Sequence, residues 1–220
     1  MYIDASSWTD WYYIDLGFVA RNKAMNAGFD ASSAFVRYPI PTDSIPHSDI
    51  AAEGKAPGIY TYWYDVFGSG LANHEFRHFQ PTQSQPEPPS WSIAIHRNNV
   101  RTNGGRVFET DYESMDELPE SSKAFRNADF QADTWNETDV WVTQTEMMNG
   151  MIGNQGITIN KVLSSWLHID LPPVPPVFTL NRHVFIVQLA DSSYAALQLA
   201  NYQDAVGNKC HMTINYRYPY

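Results

Sequence analysis

WSIAIHRNNVRTNGG, residues 91–105, is the stretch whose reading decides the fold. Trp91, Ile93 and Ile95 alternate with Ser92, Ala94 and His96, the period of two of a half-buried strand. Asn103-Gly104-Gly105 follows, a strong turn signal because these residues tolerate positive φ. The stretch therefore reads as a buried strand running into a structured polar loop.

Working toward the C-terminus, residues 182–189 (RHVFIVQL) read as a strand, Asp191-Ser192-Ser193 as a tight turn and residues 194–200 as the returning strand. Val206-Gly207-Asn208 turns the chain again into CHMTINYRY, residues 210–218. There Met212, Ile214, Tyr216 and Tyr218 oppose His211, Thr213, Asn215 and Arg217. Two consecutive hairpins make a meander. Toward the N-terminus, residues 8–16 (WTDWYYIDL) and 60–67 (YTYWYDVF) read as strands, with Gly68 and Gly70 ending the second. Val140 and Val142 alternate with Trp141 and Thr143. Residues 18–58, with Pro39, Pro41, Pro46 and Pro57, read mainly as loop with a short helix around 22–28. The PTQSQPEPP connector, residues 81–89, is stiff and polar, and strands of one character flank it, so it reads as an internal loop. No βαβ period and no repeat appears. The expected fold is all-β: a single domain over residues 1–220, built of antiparallel sheets and meanders, with a loop-rich insertion at 17–59.

Bulk properties narrow the function. The 220 residues carry 24 Asp plus Glu against 14 Lys plus Arg, a net charge of -10. That surface repels phosphate backbones and argues against nucleic acid. A single cysteine, Cys210, excludes an intrachain disulfide framework. No apolar run approaches the roughly 20 residues of a membrane span. The opening MYIDASSW lacks the basic and apolar regions of a signal peptide, so either the chain is cytoplasmic or a leader has been removed.

Candidate chemistry is sparse. His74-Glu75-Phe76-Arg77-His78 matches HExxH, which on a helix sets two zinc-binding histidines one turn apart. Gly68, Gly70 and Pro81 leave room only for a short helix, and the competing reading is a strand or short helix at a sheet edge. Cys210 sits in a strand with His211 on the opposite face, which places no base beside a thiol. Asp111 with Glu113 and Asp116 with Glu117 fall in a solvated charge run. Met147-Met148-Asn149-Gly150-Met151 puts three thioethers in a turn-prone segment. Such a segment fills irregular gaps or offers axial sulfur to haem iron. LPPVPP, residues 171–176, is a rigid apolar loop near Trp166 and His168, able to form one lip of a pocket or simply to cap a sheet.

Taken together, several stretches resemble the HmuY family, haem-binding lipoproteins of Bacteroidetes displayed on the outer membrane or released. They are Ile3-Asp4-Ala5-Ser6 with Trp11-Tyr12-Tyr13, and residues 91–105 with Ser92 where aspartate is usual. Trp166-Leu167 and residues 178–187 join them, as do Ala190-Asp191, residues 201–204 and residues 213–219. The resemblance implies an all-β domain that holds haem between two loops, with axial histidine or methionine on each side. The first loop maps to Met147 through Met151, with Met148 or Met151 as ligand. The second maps to residues 171–176, where Leu171 replaces a histidine and Val174 stands where methionine would precede Pro175-Pro176. His168 and Trp166 are the remaining cofactor-binding candidates. Arg97, Arg101 and Arg182 are candidates for the haem propionates. The implied role is nutrient capture at the outer-membrane surface without catalysis, with a host haem protein as source and an outer-membrane transporter as recipient. The alternatives are a paralogue for another apolar ligand or for adhesion, and a zinc hydrolase using His74, Glu75 and His78.

Overall fold

A computed structural model describes residues 1–41, 58–63, 76–78, 84–136, 138–142, 151–170, 173 and 175–220. Strands β1 (Tyr2–Asp4) and β2 (Asp10–Ile14) lead into helix α1 (Leu16–Met25), then β3 (Val36–Pro39), β4 (Gly58–Trp63) and β5 (Phe76–His78). Next come β6 (Ile93–His96), β7 (Asn99–Thr102), β8 (Arg106–Glu109), β9 (Gln131–Ala132), β10 (Thr134–Asn136) and β11 (Met151–Ile159). Helix α2 (Lys161–Ser164) precedes β12 (Leu167–Asp170), β13 (Val177–Leu180), β14 (Phe185–Gln188), β15 (Tyr194–Gln203) and β16 (Lys209–Arg217).

The quoted stretch builds the centre. β6 and β7 are buried at all eight positions, within a sheet ordered β3-β2-β6-β7. Alternation then assigns its faces. Ile14, Ile93, Ile95 and Val100 face the largest apolar core, shared with Trp166, Phe185, Met212 and Ile214 of the other layers. Trp11, Tyr13 and Ala94 face a second core with Val140, Val142, Ile157 and Ile159. A six-stranded sheet, β1-β16-β15-β14-β8-β9, packs on the first face, and the β10-β11-β4-β5 sheet lies toward the second. Leu118, Phe125 and Phe130 cover the far side of the six-stranded sheet over Val184, Ile186 and Ala196. Each fully buried aliphatic in these clusters contributes on the order of 1.5–3 kcal/mol.

A sheet buried on both faces must satisfy its polar side chains internally. The Trp11 indole donates to Gln155 at 2.7 Å, and Gln155 donates to Gln85 at 2.9 Å. Arg101 pairs with Glu87 at 2.7 Å. These bonds tie the proline-rich connector to the core, in keeping with an internal loop. Ser92, where the family resemblance places aspartate, accepts from the amide of Leu16 at 3.0 Å and so fixes the entry to α1.

The structure departs from the sequence reading in two places. The segment after His96 is not all loop. A turn at Arg97-Asn98 starts a second buried strand, β7, which sequence alternation hid because Asn99, Arg101 and Thr102 are polar yet buried. Residues 18–41 are more ordered than a loop. Asp15 caps α1 by accepting from the amide of Phe18 at 2.9 Å, Leu16 and Val19 enter the core, and β3 pairs with β2. The sheet-edge reading of the HExxH segment holds over the zinc-binding helix for its described part: Phe76–His78 is a strand paired with β4, His78 opposite Tyr60. His74 and Glu75 lie outside the described residues. The C-terminal meander matches its reading, with Met212 and Ile214 buried. No helix among the described residues is long and apolar enough to cross a membrane.

The turn after β7 has little room. Gly104 holds φ +69°, and a Cβ on Gly105 would sit 2.8 Å from the carbonyl oxygen of Gln188. Gly105→Ala should therefore destabilise the fold by about 1–3 kcal/mol, as overpacking does. Urea denaturation checks this. A midpoint equal to that of the parent would show that the turn can yield.

Candidate functional site

One end of the layered core opens into a cavity of about 860 Å³. Ser6 and Trp8 reach it from the β1–β2 connection, and Arg97, Asn98 and Asn99 from the β6–β7 turn. Asp139 and Trp141 border it beside Ile159, Lys161, Ser164 and Ser165. The β12–β13 hairpin contributes Leu167, His168, Ile169, Pro176 and Phe178, and β16 with the turn before it contributes Asn208, Lys209 and His211.

The buried sheet holds this rim in place. Fully buried His96 directs one ring nitrogen to the carbonyl oxygen of Asp10 at 2.9 Å and the other to that of Trp141 at 2.8 Å. Asn99 donates to the carbonyl of Asp139 at 2.8 Å. Trp141 forms an isolated antiparallel bridge with Asn154 of β11, and the amide of Val142 donates to the carbonyl of Gly153 at 2.8 Å. Burial pushes the His96 pKa down to about 4. The carbonyl oxygens at its two nitrogens favour the cation, but desolvation is the larger effect; the neutral ring it favours donates to only one of the two carbonyls.

Arg97 occupies the left-handed region at φ 54°. Its guanidinium lies 3.6 Å from the Trp8 ring centroid and donates to the Ser6 carbonyl at 2.9 Å. Burial pulls its pKa below the usual value, though an arginine keeps its charge. Phe178 stacks on Tyr202 at 5.8 Å and 10°, and the Lys209 ammonium lies 5.5 and 5.2 Å from those two rings. His168 is mostly exposed, its Nε2 2.8 Å from Asp170. His211 is engaged at both nitrogens, by the Tyr2 hydroxyl at 2.8 Å and by Asp4 and Asp204 at 3.6 and 3.9 Å.

Of the residues singled out by sequence, His168 and Arg97 line the cavity. Trp166 does not: it is fully buried behind the lining, its indole donating to the carbonyl of Asn98 at 3.0 Å, and so it supports that wall without facing a ligand. Arg101 lies in the second core with Glu87, and Arg182 is not among the lining residues. Met147, Met148, Leu171 and Val174 lie outside the described residues. Met151 opens β11 opposite Trp63, and only its backbone is described. Sequence reasoning missed Trp8, Lys161, Phe178, Lys209 and His211 as site residues. The alternation of β16 carried a signal for two of them, since Lys209 and His211 share the face opposite buried Cys210.

The model of the HmuY protein family matches residues 7–216. The chain belongs to the HmuY family. Among curated proteins, none matches the sequence at a significant level. The HmuY fold is also shared with solved structures. A candidate HmuY-like heme binding protein from Bacteroides vulgatus is 29% identical, with a TM-score of 0.64 over 100% of this chain and 91% of that one. A candidate lipoprotein from Bacteroides fragilis is 25% identical, with a TM-score of 0.66 over 100% of this chain and 88% of the other. The apo HmuY analog of Tannerella forsythia, at 22% identity and a TM-score of 0.60 over 98% and 92% of the two chains, shares the fold.

His96 makes the stability of the site pH-dependent. In the unfolded chain its imidazole takes a proton near pH 6.5, and in the folded protein only near pH 4. Its contribution is thus complete above pH 6.5 and declines as pH falls toward 4, by about 3 kcal/mol at about 1.4 kcal/mol per pH unit. Urea midpoints of the parent between pH 7 and 4.5 should fall more steeply than those of His96→Asn. Parallel slopes would mean that this ring titrates alike in both states.

Proposed function

We propose that this HmuY-family protein binds haem or a related porphyrin in the cavity beside the β12–β13 hairpin and acts in nutrient capture. One observation supports the reading above the rest. The cavity is bordered by Trp141, from which the chain enters the methionine-rich segment, and by Ile169 and Pro176, which flank the proline-rich one. Those are the two loops that the family likeness associates with haem. At about 860 Å³ the space falls in the range usual for small-molecule sites, roughly 300–1,000 Å³. Trp8, Trp141 and Phe178 offer aromatic surface to a flat apolar ring system.

The donor set suits haem iron, whose protein ligands include methionine sulfur and histidine nitrogen. Met148 or Met151, with Met147 adjacent, would serve from one side. Leu171 and Val174 have no donor atom, so the second ligand in this reading is His168. Asp170 orients its ring through Nε2, leaving Nδ1 for iron, the carboxylate–histidine arrangement common at metal sites. Haem would arrive from a host haem protein and pass to an outer-membrane transporter, with the protein anchored by lipid at the outer-membrane surface. The same lack of donors at Leu171 and Val174 favours a second reading, capture of an apolar ligand other than haem.

Titration of the apoprotein with haem, followed by visible absorption in both oxidation states, tests the proposal. A saturable one-to-one Soret band supports it, with mixed methionine–histidine features in the reduced spectrum. His168→Ala should change those features, and Met148→Ala with Met151→Ala should remove the sulfur signature. Spectra identical to free haem would overturn haem capture in favour of the second reading.

A further inference from the structure

The charge in the cavity runs against that of the whole molecule. With a net charge of -10, the chain nevertheless lines this space with Arg97, Lys161 and Lys209 and, among the described residues, a single carboxylate, Asp139. Asp139 is exposed at the rim and accepts from the Thr138 hydroxyl at 2.9 Å. Arg97 is the most informative of the three. The residue is half-buried, its guanidinium lies over the Trp8 ring and donates to one backbone carbonyl, and no carboxylate of the described residues pairs with it. A charge partly withdrawn from water with so few partners gains from an anion that completes it. Lys209, braced over Phe178 and Tyr202, brings a second cation to the same space.

We infer that Arg97 and Lys209 form an anion-recognition wall, so that the cavity selects flat apolar ligands bearing carboxylate or a similar acidic group over their neutral analogues. The inference rests on the reading of the cavity as a porphyrin-sized site and names the ligand class it takes. Arginine presents a planar fork that fits a carboxylate, and lysine adds a point charge.

Two probe pairs test it: protoporphyrin against its dimethyl ester, and anilinonaphthalene sulfonate against uncharged phenylnaphthylamine, each titrated by fluorescence. Metal-free probes keep the result independent of axial ligands. The parent should bind the charged member of each pair about tenfold or more tightly. The gap should close in Arg97→Gln, narrow in Lys209→Gln and persist in Arg97→Lys. The thermal midpoint of the Arg97→Gln apoprotein should be kept or raised, since a poorly partnered charge is gone; a merely structural arginine would show the opposite. If neither porphyrin binds but the sulfonate retains its Arg97-dependent advantage, the porphyrin reading fails and the wall stands. Equal binding of charged and neutral members in both pairs, or binding of none, overturns the inference.

Discussion

The structure depends on a constraint placed on one sheet: β6 and β7 have no face left to water, and β2 leaves only Tyr12 half-buried. Each residue there must either pack against apolar neighbours or find a polar partner within the protein. Ile93 and Ile95 meet the first condition on one side, Trp11 and Ala94 on the other. His96, Asn99, Arg101 and Thr102 meet the second, through Trp141, Asp139, Glu87 and Asp133. Those bonds fix where the neighbouring segments run. The cavity is therefore a consequence of how the central sheet satisfies its own polar groups, because the carbonyls of Asp139 and Trp141 are held as partners of Asn99 and His96.

The same sheet explains what the sequence made legible. Period-two patterns mark strands with unlike faces, and β6 and β16 were visible for that reason, while β14 and β15 were visible as apolar runs on either side of a turn signal. β7 was not, because a strand buried on both sides can carry polar residues when each has a partner, and partners distant in sequence leave no local pattern. Helix α1, expected at 22–28, lies earlier, at Leu16–Met25: its aspartate cap and two core contacts, Leu16 and Val19, are few against the prolines that follow. The HExxH match shows the converse, since a motif is informative only in the backbone conformation its chemistry needs.

For the site, the sequence identified side chains with distinctive chemistry and missed those whose role is positional. Methionines, a histidine and a proline-rich loop stand out by composition alone. Trp8, Lys161 and Lys209 do not, because they come from three separate elements that only the tertiary fold brings to one space. Trp166 drew attention as an aromatic beside a loop, but an indole with a backbone acceptor behind the lining is equally well used as support.

The walls of the cavity differ in how firmly they are attached. On one side stand the β6–β7 turn and Trp141, secured to the doubly buried sheet. On the other stands β12–β13, a ladder of only two strands, with Val177 and His168 exposed and Phe178 reaching across to Tyr202. Two-stranded ribbons have little stability of their own, and such elements open locally while the rest of a protein stays folded. For the ligand proposed for this site, exchange would then be asymmetric in time: the firm wall would set the geometry of the bound state, and breathing of the hairpin the residence time.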